Sequence, residues 1–202
     1  MNKIFPWWSS HKRDFPWRDT LDPFRILISE MLLQRSRAGS VGKLYAEFFK
    51  RWPNPEAVRD ADISDIEALI SPLGLTGRAT RIKTMAIAWS EQKTLPHNSS
   101  ELQELPGVGP YSANATALAM SWDAEPCVDS VSERVLRRFL GNQDNTEPRQ
   151  QVANRVYSQV PKRQWRKLNW AILDLASALC MPRIPRCGLC PLLDECGWAK
   201  KR

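Results

Sequence analysis

A succession of helical lengths bounded by proline or glycine constrains the fold of this chain more than any other feature. Almost no stretch alternates apolar and polar residues as a half-buried strand does. Breaks such as Pro53, Pro55 and Gly74 separate the lengths. Helices are predicted over residues 23–35, 40–51, 62–70, 78–92, 99–104, 110–121, 130–140, 147–159 and 164–180. The sequence therefore predicts an all-α protein.

The composition allows a well-packed core and a polyanionic partner. The 202 residues, 43% of them hydrophobic, suffice for one large domain or two small ones. We find no apolar run of about 18 residues and no signal-peptide-like start. We therefore expect no membrane partner and a cytoplasmic location, associated with the nucleoid in a prokaryote. The formal net charge of +7 fits nucleic acid, although solvated surfaces commonly carry such a charge.

The first predicted helix carries an unexpected carboxylate. Asp22 and Pro23 are typical of an N-cap followed by a proline at the first helical position. The helix that follows is apolar nearly all round and is expected to be central and buried. Glu30 lies within it, and an unpaired carboxylate would be costly there. Either Glu30 belongs to a structural hydrogen-bond network or it faces a pocket, and we favour the pocket.

A glycine-rich turn separates two of the predicted helices. Gly107 and Gly109 flank Val108, and Tyr111 follows at the start of the next helix. Glycines leave backbone N–H groups unobstructed, and a helix N-terminus favours an anion, so this turn suits a phosphate. A helix–helix turn without any ligand is the alternative for this tripeptide alone.

Four of the five cysteines lie close together at the end of the chain. Cys180, Cys187, Cys190 and Cys196 follow the pattern C-x6-C-x2-C-x5-C. Four thiolates on short loops can hold one metal centre, and this set fits both iron–sulfur and zinc chemistry. Cys127 lies outside the pattern and is interpreted as a small buried core residue.

Asp129 immediately precedes the predicted helix over residues 130–140. Either Asp129, or Ser130 together with Glu133 in a capping box, is expected to cap that helix. Capping is compatible with a catalytic role, because a helix N-terminus also favours an ionised carboxylate.

Together these features resemble the helix-hairpin-helix DNA glycosylase superfamily, which includes endonuclease III and the adenine mismatch glycosylases. The resemblance runs from about residue 12 to residue 197 and includes the segment 13–18 and the placing of Asp129 eighteen residues beyond Tyr111. It implies a two-lobed all-α fold. A six-helix barrel would cover residues 22–126, and a cluster domain would combine residues 1–21 and 127–202, where the four cysteines would bind a [4Fe–4S] cluster.

The resemblance also implies catalytic roles for three residues. Asp129 matches the carboxylate that stabilises positive charge on the sugar or orients water. Tyr111 stands where relatives with β-lyase activity carry a Schiff-base lysine, so the chain resembles the monofunctional branch. Even if Tyr111 only packs in the turn, no lysine is present there. Glu30 matches the general acid of adenine mismatch glycosylases, and the thymine-mismatch branch carries a glutamate there too.

DNA contacts are implied for a further set of residues. Arg35 would read the guanine opposite the target, Leu75 would wedge into the base stack, and the turn would hold a phosphate. An exposed charge and an ordinary core leucine are the plainer interpretations of Arg35 and Leu75. The expected DNA-binding residues are Trp17, Arg18, Gln34, Arg35, Leu75, Gly107, Val108, Gly109, Arg183 and Arg186.

Three features favour a pyrimidine substrate. Gln34-Arg35-Ser36 replaces the Gln-Gln-Thr of adenine enzymes, Leu75 replaces their wedge tyrosine, and the chain ends after the cysteines without their extra C-terminal domain. The expectation is a monomeric, monofunctional glycosylase that removes thymine or uracil opposite guanine from double-stranded DNA. The alternatives are an adenine glycosylase acting opposite guanine or 8-oxoguanine, and a non-catalytic iron–sulfur DNA-binding module. Val131, at a position where the family has asparagine, raises the last alternative, and the presence of Asp129 argues against it.

Overall fold

The computed structural model describes residues 1–74, 77–142 and 146–201, and within these ranges the regular structure is entirely helical. The all-α prediction is confirmed. The α-helices are α1 (Ile4–His11), α2 (Pro23–Leu33), α3 (Ala38–Arg51), α4 (Pro55–Asp60), α5 (Ile63–Ile70), α6 (Arg78–Ser90), α7 (Ser99–Gln103), α8 (Pro110–Ala119), α9 (Ser130–Leu140), α10 (Arg149–Tyr157) and α11 (Trp165–Ala178). In the described ranges, no helix has both the length and the apolar character needed to cross a membrane.

Two of these helices, α1 and α4, are absent from the predicted set. The signal for α4 was nevertheless present, because the Asn54 side chain accepts a hydrogen bond from the backbone N–H of Ala57 at 2.8 Å and Pro55 is the first helical residue. The pair Asn54-Pro55 is thus an N-cap followed by proline, the same arrangement as Asp22-Pro23. A proline interpreted only as a break was in fact a helix start.

The chain divides into two compact units. The central unit is Asp14–Ala124, and the terminal unit combines Met1–Arg13 with Glu125–Arg202. The central unit contains α2 to α8, and the terminal unit contains α1 and α9 to α11.

Helix α2 lies in the core of the central unit, as its nearly continuous apolar sequence predicted. Ile26, Leu27 and Ile28 are each at most 1% exposed. The helix contacts α3, α6 and α8. Burial of this apolar surface is the main stabilising contribution of the helix.

The core of the terminal unit is formed by α1, α9, α10 and α11. Beyond α9, Gly141 adopts a φ of +68°, and a Cβ added at Gly197 would lie 2.7 Å from the Gly141 backbone. The backbone N–H of Gly197 donates to the carbonyl of Phe139 at 2.9 Å. Two glycines therefore let the segment that carries Cys196 lie directly against the end of α9.

Candidate active site and DNA-binding surface

Asp129 is the N-cap of α9, and its carboxylate is held on one side. Its Oδ1 accepts hydrogen bonds from the backbone N–H of Val131 at 3.1 Å, the backbone N–H of Ser132 at 2.7 Å and the Ser132 hydroxyl at 2.7 Å. The Asp129 N–H in turn lies 2.8 Å from the Ser132 hydroxyl oxygen. The capping box is therefore formed by Asp129 and Ser132. The alternative box of Ser130 and Glu133 is wrong, and Glu133 instead pairs with Arg137 at 2.7 Å.

The other oxygen of the same carboxylate is differently placed. Asp129 is half-buried, and its Oδ2 accepts no hydrogen bond from any residue in the described ranges. One oxygen is thus fixed by the helix N-terminus, while the second keeps its hydrogen-bonding capacity. Such a carboxylate can face developing positive charge or orient a water molecule without losing its own support.

Glu30 and Tyr111 lie on two helices that pack together in the central unit. Glu30 is half-buried near the end of α2, and Tyr111 is half-buried at the second position of α8. The Gln34 side-chain amide donates to the hydroxyl of Ser112, the neighbour of Tyr111, at 3.3 Å. Asp129 belongs to the terminal unit, so its assembly with these two residues into one site stays a prediction.

Arg35 lies exposed on a tight turn immediately after α2. The backbone N–H of Ser36 donates to the carbonyl of Leu33 at 3.0 Å, and Arg35 has a φ of +56°. The turn projects Arg35 from a fixed backbone and leaves Gln34 half-buried at its base. Leu75, the predicted wedge, lies outside the described residues.

The glycine turn before α8 has the geometry expected of an anion site. Gly107 has a φ of +76°, and a Cβ added there would lie 3.4 Å from the Cβ of Arg81. Val108 is buried and anchors the turn, whereas Gly107 is exposed. In the part of the chain that the structure describes, no side chain caps α8, and Pro110 is its first residue. A helix N-terminus without a side-chain cap favours an anion, so this end of α8 suits a phosphate oxygen.

The other predicted DNA-binding residues fall into two groups. Trp17 is 5% exposed and stacks on Phe15 at 4.6 Å, a position typical of a core residue, and Arg18 lies over the same Phe15 ring at 5.3 Å. Arg183 and Arg186 are exposed on the loop between the first two cysteines of the pattern. All four DNA contacts stay predictions.

The four cysteines of the C-terminal pattern line one cavity. They are free thiols, and Arg138, Trp198 and Leu193 also line it. Burial, together with the charges of the neighbouring thiols, raises the pKa of the Cys190 thiol to about 11. With the side chains in their present positions, the described residues include no group of three or more His, Cys, Asp or Glu side chains that could hold a metal ion. The lining nevertheless supplies four sulfur donors, the number and type that a Cys₄ centre needs.

Three residues with supporting roles were missed by sequence reasoning. Ser132 had a signal, since a serine three residues after an aspartate is a capping-box pattern. Arg78 and Arg81 had none. Their guanidinium groups donate to the carbonyl and to the side-chain oxygen of Gln34 at 2.7 and 3.4 Å, over sequence separations of 44 and 47 residues.

Comparisons with known proteins identify a family and several relatives. The model of a family described as "HhH-GPD superfamily base excision DNA repair protein" matches residues 28–162. A thymine-DNA glycosylase of Aeropyrum pernix is 35% identical over 96% of this chain and 91% of its own length. An adenine DNA glycosylase of Mycobacterium tuberculosis is 34% identical over 96% of this chain, which spans 66% of that relative.

Solved structures show the same fold. The structure of a thermostable thymine-DNA glycosylase superposes with a TM-score of 0.89 at 31% identity, covering 100% of this chain and 95% of the other. A non-covalent endonuclease III–DNA complex gives a TM-score of 0.84 at 22% identity, covering 100% and 94% of the two chains. The second likeness concerns the fold alone.

Proposed function

The chain belongs to the HhH-GPD superfamily of base excision DNA repair proteins, and from that premise we propose that it is a monofunctional glycosylase for thymine or uracil mispaired with guanine. The observation that carries the proposal is Asp129, which is fixed through Oδ1 and has no partner on Oδ2 among the described residues. The thymine-DNA glycosylase relative, matched over nearly its whole length, supports the choice of base.

The reaction breaks the bond between C1′ of the deoxyribose and a nitrogen of the base. Positive charge then builds on the sugar, and the Asp129 carboxylate would stabilise it. The free Oδ2 would accept a proton from the water that adds to C1′. Glu30, when protonated, would donate a proton to the departing base. The products are a free base and an abasic site.

Tyr111 limits the reaction to hydrolysis in this proposal. A phenol cannot form the Schiff base that an amine forms with the abasic sugar. The DNA strand would therefore stay intact after the base has been removed, which makes the enzyme monofunctional.

The proposed partner is double-stranded DNA bound by a monomer in the cytoplasm. The uncapped N-terminus of α8 and the turn around Gly107 would bind a backbone phosphate. Arg183 and Arg186, both exposed, would contact further phosphates, and Arg35 would donate to the guanine opposite the target. Leu75 would act as the wedge.

A [4Fe–4S] cluster is proposed for the cysteine-lined cavity. Cys180, Cys187, Cys190 and Cys196 would each donate one thiolate, and the bound group would cross-link the C-terminal loops that carry Arg183 and Arg186. Anaerobically purified protein should contain about four irons and four sulfides per chain. Stoichiometric zinc in a colourless sample would contradict this assignment.

A panel of duplexes tests the function. Thymine, uracil, adenine, 5-methylcytosine and oxidised pyrimidines are each placed opposite all four bases, and the products are resolved before and after alkali. We expect cleavage only after alkali, at thymine and uracil opposite guanine. Excision of adenine alone would establish the alternative that the Mycobacterium tuberculosis relative favours. Binding without any excision would identify a non-catalytic module.

A further inference from the structure

The turn after α2 places an arginine where glycine is normally required. Gln34 has a φ of −52° and a ψ of 112°, Arg35 has a φ of +56°, and Ser36 N–H donates to Leu33. These values describe a type II turn, whose third residue is usually glycine because its φ is positive. A side chain at that position strains the backbone.

Other positive-φ positions in the described ranges show how unusual Arg35 is. Four of these positions are occupied by glycine, namely Gly74, Gly77, Gly107 and Gly141. The remaining one, Ser121, follows α8 at a helix end, where its N–H donates to Leu118 at 3.1 Å and the next N–H donates to Ala117 at 2.8 Å. Those bonds form a common helix C-terminal motif, in which left-handed residues are frequent. Arg35 instead lies in an exposed two-residue turn.

A buried guanidinium holds both sides of this turn. Arg78, at the start of α6, is 1% exposed. Its Nη1 donates to the carbonyl of Leu32 at 2.8 Å and to the Ser36 hydroxyl at 2.9 Å, and its Nη2 donates to the carbonyl of Gln34 at 2.7 Å. The acceptors lie before and after Arg35, so the planar guanidinium group bonds both sides of the turn.

The environment of Arg78 shows that the turn is its main partner. Within the described ranges, Arg78 has no carboxylate partner, and burial lowers the pKa of its guanidinium. A buried cation without a counter-ion is costly. Here the partial negative charge at the C-terminal end of α2 offsets part of that cost. An apolar side chain at this position would avoid the cost of burying the charge, so packing alone does not account for an arginine.

We propose that Arg78 is a positioning residue that enforces the left-handed conformation of Arg35 and thereby sets the specificity for the base opposite the excised one. The inference rests on the proposed function for the role of Arg35 and extends it to the residue that directs Arg35. A guanidinium reads guanine through two donors in a fixed plane, so its approach direction matters. A relaxed turn would lose that direction while keeping the positive charge.

Binding to an abasic duplex tests this specificity separately from base removal. Dissociation constants are measured for duplexes with a tetrahydrofuran abasic analogue opposite G, A, C or T. Wild type, Arg35→Ala, Arg78→Lys and the double variant are compared. Arg35→Ala should lower the preference for guanine by about 5- to 150-fold, as for loss of a bidentate arginine contact. Arg78→Lys should also lower the preference for guanine. The preference of the double variant should be no lower than that of Arg35→Ala.

The preference is a ratio measured on one protein sample, so a reduced folded fraction cancels from it. Arg59→Lys is the matched control and should keep the wild-type ratio, because Arg59 belongs to the same unit, its side chain is 39% exposed, and it pairs with Asp60 at 2.8 Å. Additive losses in the double variant would overturn the proposal. Equal binding of all four duplexes by wild type would overturn it together with the role of Arg35. Discrimination that persists in a protein unable to remove thymine or uracil would overturn only the proposed function.

Thermal unfolding provides a second measurement that needs no DNA. Arg35→Gly should melt several degrees above Arg35→Ala, since glycine relieves the left-handed strain. Ser36→Ala removes one hydrogen-bond acceptor of Arg78. Added to both variants, it should reduce the difference between their melting temperatures. If glycine and alanine at position 35 melt at the same temperature, or if Ser36→Ala leaves their difference unchanged, Arg78 does not enforce the turn.

Discussion

Asp22 and Asp129 cap two helices in the same way, yet their second carboxylate oxygens differ. Asp22 Oδ1 accepts from the N–H groups of Phe24 and Arg25 at 2.9 and 3.3 Å, and its Oδ2 lies 3.4 Å from the Nε of Arg25. Asp129 Oδ1 is held by Val131 and Ser132, and its Oδ2 has no such neighbour among the described residues.

The comparison separates a structural aspartate from a candidate catalytic one. Both satisfy orphan N–H groups of a helix, which is a sufficient reason for an aspartate at either position. In Asp22 the remaining capacity is taken by a neighbouring arginine of its own helix. In Asp129 the second oxygen, Oδ2, keeps its hydrogen-bonding capacity, and the Ser132 hydroxyl holds the capping oxygen, Oδ1. The candidate function depends on the oxygen that does not cap.

Replacement of each aspartate by asparagine should give the largest difference in excision rate between the two positions. Asparagine caps helices about as well as aspartate, so both variants should melt close to wild type. Asp129→Asn should lower single-turnover excision by at least about 10²- to 10³-fold, because a neutral amide stabilises developing positive charge poorly. Asp22→Asn is the control and should excise normally. Near-normal excision by Asp129→Asn would remove Asp129 from the catalytic assignment.

Tyr111→Lys tests the role of Asp129 in hydrolysis, because it adds an amine nucleophile that competes with the water assigned to Asp129. The amine would lie in the first turn of α8, where the helix N-terminus helps to keep part of it deprotonated. We expect a gain of strand cleavage, seen as a strong borohydride-trapped protein–DNA adduct, with only faint trapping by wild type. Strong trapping by the wild-type protein would show that another lysine acts and that the monofunctional proposal is wrong.

Ser132→Ala tests whether the orientation of the Asp129 carboxylate matters. The variant loses the hydroxyl that lies 2.7 Å from Oδ1 and 2.8 Å from the Asp129 backbone nitrogen. At about 0.5–1.5 kcal/mol per hydrogen bond, excision should fall roughly 2- to 10-fold. The fall should appear in the single-turnover rate, with duplex affinity unchanged. A loss confined to affinity would indicate a general change of the terminal unit.

Asp22→Ala should have the smallest effect on function. Loss of an N-cap costs about 0.5–2 kcal/mol of stability, measured by denaturant unfolding. The rate of excision per folded molecule should stay at the wild-type value, because the Asp22 carboxylate has no catalytic role in the proposal. A loss of excision rate per folded molecule would mean that Asp22 is not purely structural, and that the second carboxylate oxygen does not distinguish the two aspartates.

The local signals of the chain were largely sufficient for its secondary structure. The cap and proline of α2, the glycine turn before α8 and the aspartate before α9 all lie where the sequence placed them. The error at α4 arose because Pro55 was interpreted as a break, although Asn54 before it was able to cap. Such signals depend on dihedral preferences and hydrogen bonds that span four residues or fewer.

Patterns in the sequence were enough to predict the all-α fold, the set of four cysteines and the candidates Asp129, Tyr111 and Glu30. The three-dimensional structure was needed to show that Oδ2 of Asp129 has no partner among the described residues and that the four thiols line one cavity. It was also needed to show that Arg78 bonds both sides of the turn that carries Arg35. The bonds of Arg78 join residues 42 to 46 positions apart. Packing of whole helices brings such residues together, and no local preference in the sequence specifies that packing.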